Sequence, residues 1–173
     1  MQSVVKGVII RPDGDVKTNH LTRFTDKYVL PTDPIFLPDI LPTHTSVLLE
    51  LPLLVERLND RDRVPGDGYH KNRPATTLHM RPISGFAPFE WQRKVGAVLV
   101  VRMDRKPLSC LHLEAICKFL WTLMVDANSI GWEKGIESRV TKKAFEVFWY
   151  EYKKRQIKAG REEFDELESP YSV

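Results

Sequence analysis

Residues 95–126 read VGAVLVVRMDRKPLSCLHLEAICKFLWTLMVD, and the fold turns on how this stretch divides. From 95 to 103 apolar side chains fall on both faces of an extended chain, and four of the nine residues are valine. A strand that is apolar on both sides belongs in the middle of a covered sheet. From Cys110 to Asp126 the apolar residues instead run nearly all the way round a helix: Leu111, Leu113, Ile116, Phe119, Leu120, Trp121, Leu123, Met124 and Val125. The polar stripe is thin. Glu114, Lys118, Thr122 and Asp126 follow one another at intervals of four, and Glu114 and Lys118 are spaced to pair. A helix of this kind is the core of a domain rather than a cover. Ser109 is placed to cap it, because a hydroxyl accepts from the free amides of the first turn.

Downstream, the composition predicts a second helix beginning at Thr141. Val140 before that cap and Phe145 within the second turn fit a hydrophobic staple. Ala144, Phe145, Phe148, Trp149 and Tyr152 form its apolar face, and Gly160 is a stop. Five acids follow: Glu162, Glu163, Asp165, Glu166 and Glu168. Upstream, 4–10 reads as a strand and Pro12 with Gly14 as its turn. A polar second strand over about 16–24 sits at an edge. Residues 29–45 hold four prolines among Val29, Leu30, Ile35, Phe36, Leu37, Ile40 and Leu41. Proline excludes helix and central strand. The apolar residues favour an arm lying across a core over a free linker.

Alternation over 46–57 predicts a half-buried strand with a bulge or edge at Pro52. Residues 58–75 read as a mobile loop, and 76–83 as a short strand with Leu78 and Met80 opposite His79 and Arg81. Residues 85–94 are turn-rich. Strands first and helices last imply an α+β fold: a mainly antiparallel sheet of about five strands with two long C-terminal helices packed on one face. Residues 1–161 form one domain on this reading, and 162–173 an acidic tail.

Composition bounds the function. The chain has 173 residues, 42% hydrophobic and 28% charged, which suits one soluble domain. Its formal charge of +3 is too small to argue for nucleic acid by itself. The two cysteines, Cys110 and Cys117, exclude a disulfide scaffold. No apolar run is long enough for a bilayer, and MQSVVKGVII lacks the features of a signal peptide. The expected location is cytoplasmic, with the nucleus as an alternative. H-E-x-x-H, G-x-S-x-G, Walker and dinucleotide motifs are absent from the sequence, and no cofactor is expected.

Some residues nevertheless have chemistry available. Cys110 opens the long helix, where free amides stabilise a thiolate. His112 titrates near neutrality, and Glu114 lies two residues on. The plainer reading of each is structural: a capped thiol, a solvated imidazole, an ion-paired carboxylate. Cys110 and Cys117 lack the short spacing of a zinc pair, so no metal is expected. The last helix carries Lys142, Lys143, Lys153, Lys154, Arg155, Lys158 and Arg161 beside aromatics, a pattern that can bind single strands. The aromatics fall on the packing face, however, and the cations read as its solvated back. The acidic tail is placed to fold over them.

Residues 85–121, GFAPFEWQRKVGAVLVVRMDRKPLSCLHLEAICKFLW, resemble a group of small proteins from filamentous and mushroom-forming fungi. The similar pattern runs G-F-A-P-x-x-W-Q, a V-L-V strand, then K-P-L-x-x-x-H-L-E. Asp33, Pro34, Ile35 and Phe36 upstream, and Ser169, Pro170, Tyr171 and Val173 downstream, are similar too. The resemblance picks out Trp91, Gln92, Lys106, His112 and Glu114 as matching polar positions and implies no activity. Some members are joined to a MYND-type zinc finger, whose cysteines this chain lacks.

Two readings compete. One is a small intracellular binding or interaction module without catalytic activity, motivated by the proline-punctuated apolar arm. The other is a small enzyme of isomerase, cyclase or hydrolase type, with a pocket between the sheet and helix 110–126. Its catalytic groups would be His112, Glu114 and Cys110, and its ligand-binding groups Trp91, Gln92 and Lys106. Expected partners are a protein or a small molecule, not nucleic acid or membrane. Homo-oligomerisation stays open.

Overall fold

The computed structural model describes residues 3–12, 24–58, 72–80, 87, 91, 95–130 and 137–173, with backbone alone at 127–130. These residues form β1 (Val5–Ile10), β2 (Phe24–Val29), α1 (His44–Leu48), β3 (Leu53–Arg57), α2 (Arg73–Leu78), β4 (Val98–Arg102), α3 (Cys110–Ile130) and α4 (Lys142–Lys158). The architecture is α+β. The strands make one antiparallel sheet in the order β2-β1-β4-β3. Within the described residues it has four strands, not the five read from the sequence.

The apolar strand is central, as its two-sided pattern requires: all five residues of β4 are buried. Val98 and Val100 join Val8, Ile10 and Leu53 on the face beneath α3. Leu99 and Val101 join Val29 and Leu54 on the other, outer face. Side chains alternate across a strand, so one sequence run supplies two cores. Gly7 lies where β1 and β4 approach closest. A Cβ there would stand 2.7 Å from the Val100 carbonyl oxygen and 2.6 Å from the Val101 side chain.

On the helix side, α3 lies against β1 and β2 and is flanked by α2 and α4. Leu113, Ile116, Phe119 and Leu120 point into this layer. Ser109 Oγ accepts from Leu111 N at 3.2 Å, the expected cap. Thr141 caps α4 by accepting from Ala144 N at 3.1 Å. Val140 and Phe145 are both buried, as a staple demands. α4 ends in a Schellman turn: Gly160 has φ +90°, its N–H reaches Ile157 O, and Arg161 N reaches Gln156 O. Within the described residues, no helix is long and apolar enough to cross a membrane.

Several sequence expectations need correction. The strand that pairs with β1 is Phe24–Val29, and it is a sheet edge; residues 13–23 lie outside the described ones. Only the end of 46–57 is strand. Thr43 caps a helical turn by accepting from Ser46 N, and Glu50 then takes a left-handed φ of +55° before the chain extends. The alternation of Leu49, Leu51 and Leu53 therefore marks burial, not continuous strand. Residues 76–78 are helical too, because Asn72 caps α2 and Pro74 stands in its first turn. Residues 59–71 of the expected loop and 81–83 of the expected strand lie outside the described residues. α3 runs on to Ile130, beyond the expected end at Asp126.

The proline-rich arm does lie across a core. Asp33 caps a 3-10 turn at Pro34–Phe36, and Ile35, Phe36 and Ile40 pack on the outer face of the sheet. The acidic tail is no appendage. Phe164 is fully buried among the helices, Leu167 and Tyr171 pack against the same cluster, and Pro170 is buried.

Candidate functional site

The first turns of α3 carry three of the predicted groups, and the helix sends them to different places. Two residues along a helix turn the side chain by about 200°. Cys110 faces the β1–β2 ribbon, where its half-buried thiol is pushed up by burial and then by neighbouring Asp26, while Lys6 opposes. A raised thiol is the opposite of an activated nucleophile.

His112 turns inward. Its Nε2 lies 2.7 Å from the Glu168 carbonyl oxygen, and its ring meets Trp149 edge-on with centroids 5.3 Å apart. A carbonyl only accepts, so Nε2 carries the hydrogen. Burial holds this imidazole below its ordinary value; the Glu168 carbonyl works the other way, and Arg102 and Lys6 add to the depression.

Glu114 faces α4. Arg161 grips it through Nη1 at 2.6 Å and Nη2 at 2.9 Å, and the Tyr152 hydroxyl donates to it at 2.6 Å. The bidentate guanidinium fixes Glu114 as a carboxylate acceptor. Burial first, and then that same hydrogen bond, drive the Tyr152 phenol far upward. The Glu114–Lys118 pair suggested by spacing gives way to this cross-helix network.

Of the predicted ligand-binding residues, Trp91 and Lys106 have other partners. Trp91 stacks on His79, with centroids 3.7 Å apart and planes 25° off parallel, and its carbonyl accepts from Thr76 Oγ1 at 2.7 Å. Burial, then the charge of Arg57, lowers His79 to about 4. Lys106 is exposed, and its backbone N–H bonds Asp104 Oδ1 at 3.2 Å. Gln92 lies outside the described residues. Leu113, Ile116 and Leu120 are buried against the sheet where the enzyme reading placed its pocket.

Three residues that the sequence reading did not assign to the site hold this corner together. Arg102 ends the buried strand β4 and is itself buried. It pairs with Asp104 at 2.7 Å, and its Nη1 donates to Pro170 O at 2.7 Å. An arginine closing a strand that is apolar on both faces signals a buried acceptor, and that signal was legible. Arg161 and Tyr171 gave no comparable sign, because their partners lie far away in sequence.

The outer face carries the open surface. A groove of about 400 Å³ runs beside β2, lined by Ile9, Val29 and Leu99 of the outer face, by Lys27 and Leu30, and by the strand at Tyr28. Tyr28 is 62% and Leu30 53% exposed. The last carboxylates, Glu162, Glu163, Asp165 and Glu166, line a separate open groove against Ile157. Comparison with protein-family models, curated proteins and solved structures finds no match to this chain.

Proposed function

We propose that this chain is a binding module that docks an extended segment of a partner protein along the outer face of the sheet at β2. The carrying observation is the groove of about 400 Å³ beside an edge strand, floored by Ile9, Val29 and Leu99, with Lys27 on the same face of β2 and Leu30 53% exposed at its end. An edge strand offers backbone hydrogen bonds to an added strand, and alternate side chains fit the adjoining groove. Pairing of two copies edge to edge is disfavoured in the registers centred on Asp26 or Lys27, where a two-fold axis normal to the sheet opposes like charges.

The groups that an enzyme reading needs support the module instead. Glu114 is committed to Arg161 and Tyr152, His112 to the tail carbonyl, and burial pushes the Cys110 thiol up. The test is a photo-crosslinking side chain placed at Lys27, on the groove face of β2, in one preparation and at Val147, on the exposed side of α4, in another. A discrete polypeptide captured from the native source at 27, absent at 147 and lost in Leu30→Asp, is the expected result. A co-purifying small molecule whose turnover falls in His112→Ala contradicts the module and restores the enzyme.

A further inference from the structure

Residues 165–173 are held to the body by four hydrogen bonds. Lys153 Nζ of α4 donates to Leu167 O at 3.0 Å, and His112 Nε2 of α3 to Glu168 O at 2.7 Å. Arg102 Nη1 of β4 donates to Pro170 O at 2.7 Å, and the Tyr171 hydroxyl to Leu49 O at 2.5 Å. Three of these grip main-chain carbonyls of the segment itself, so the body holds the backbone of the segment rather than its acidic side chains. Apolar contacts add to them: Leu167 and Tyr171 pack against the core, the Tyr171 ring meets that of Phe145 with centroids 6.1 Å apart, and Lys142 Nζ lies 4.9 Å from the Tyr171 ring centroid. Pro170 is buried and Leu167, Ser169 and Tyr171 partly so, while Asp165, Glu166, Glu168, Ser172 and Val173 are exposed. A segment with few buried contacts is the first to open.

The His112 bond is unlike the other three, because its donor titrates near neutrality. The ring is 2% exposed, and Nδ1 is a buried lone pair that finds no hydrogen-bond partner among the described residues. We propose that residues 165–173 are a latch closed by neutral His112, and that acidification releases this segment before the rest of the body opens.

A second proton on the ring would sit at Nδ1, creating a buried donor with no acceptor. The groups facing it offer no relief. β1 presents Lys6, β4 presents Arg102 with its partner Asp104, and α4 presents the edge of Trp149. Glu50 and Glu146 lie near the Tyr171 hydroxyl. The Glu168 carbonyl itself favours a charged donor, but burial and the two cations outweigh it. Of the elements around the ring, the segment has one buried residue, Pro170, where α3, β4 and α4 each have three or more, so it is the one to move, and its departure lets water reach the imidazolium. Because the latched ring binds its proton below the ordinary imidazole value of 6.5, the closed state loses ground as pH falls below about 6.5. The closed-to-open ratio drops by up to about tenfold for each pH unit in that window.

The experiment follows the intact chain by nitrogen-15 NMR from pH 7.5 to 4.5, recording the His112 ring signals and the backbone order of residues 165–173. The expected result is loss of order in the segment with the same midpoint as the His112 ring, while Leu113–Leu120 and Val98–Arg102 stay rigid. His112→Gln keeps an amide donor for Glu168 but takes up no proton, and its segment should stay ordered throughout. A segment that stays rigid through the ring titration overturns the latch. So does one that melts together with α3, or that loosens equally in His112→Gln. If the variant does not fold, the coincidence of midpoints in the native chain decides.

Discussion

The two faces of one sheet are closed by different means. Under α3, the residues Val8, Ile10, Val98 and Val100 meet Leu113, Ile116 and Leu120 and lie in a layer continuous with Phe145, Trp149 and Phe164. On the outer face, Ile9, Leu99 and Val101 are covered by a proline-punctuated arm that seats Ile35, Phe36 and Ile40 and leaves a groove beside Tyr28 and Leu30. The strands alternate in the same way toward both. A 21-residue helix brings a continuous apolar stripe, whereas prolines break the arm into short contacts with exposed Leu37 and Leu41 between them. The difference is one of closure: one face is sealed by a continuous helix, and the other keeps a groove, the place of the proposed docking.

Substitutions can break or sharpen that contrast. The largest effect is expected from Trp149→Ala, which should cost about 3–5 kcal/mol in urea denaturation, because the ring is buried against His112 and Phe164. Leu120→Ala should cost about 2–5 kcal/mol, with Ile35→Ala at or below the bottom of that range because the arm can settle into the space. Equal losses at the two positions would erase the distinction between faces. Glu114→Gln should cost about 1–3 kcal/mol by leaving Arg161 and Tyr152 without their charged acceptor.

The pH dependence follows from His79 and His112, both depressed. In a window below about 6.5 the unfolded chain binds more protons than the folded one, so these two groups leave stability flat above that pH. Their effect should then appear as a falling melting temperature as the pH drops toward about 4, where His79 titrates in the fold. The smallest effect is expected from Lys154→Ala, under about 0.5 kcal/mol, since its ammonium is solvated and only 3.9 Å from an equally exposed Glu151.

Much of the sealed face was legible in the sequence. The two-sided apolar run at 98–102 and the nearly all-round helix after Ser109 admit few alternatives, and caps at Ser109 and Thr141 mark their helices locally. The outer face was legible only as an arm with apolar residues. The strand at 46–57 misled because Leu49, Leu51 and Leu53 are all buried, although a helical turn and a left-handed Glu50 separate the first from the last. Leu78 and Met80 are buried as alternation suggested, yet Asn72 makes the backbone before them helical. The surroundings of the candidate site residues were not legible. Cys110, His112 and Glu114 were chosen for their chemistry, but their partners Asp26, Glu168 and Arg161 come from distant segments that no spacing rule connects.

Native-state hydrogen exchange compares the two faces within one sample. The amides of Leu113–Leu120 in α3 should exchange only through global unfolding, with an opening free energy equal to that from denaturant melts. Those of Phe36, Leu37 and Ile40, which bond within the arm, should open several kcal/mol sooner, about 2 or more. Arm and helix amides exchanging at one common free energy, or helix amides exchanging within seconds, would contradict a sealed face backed by an open one.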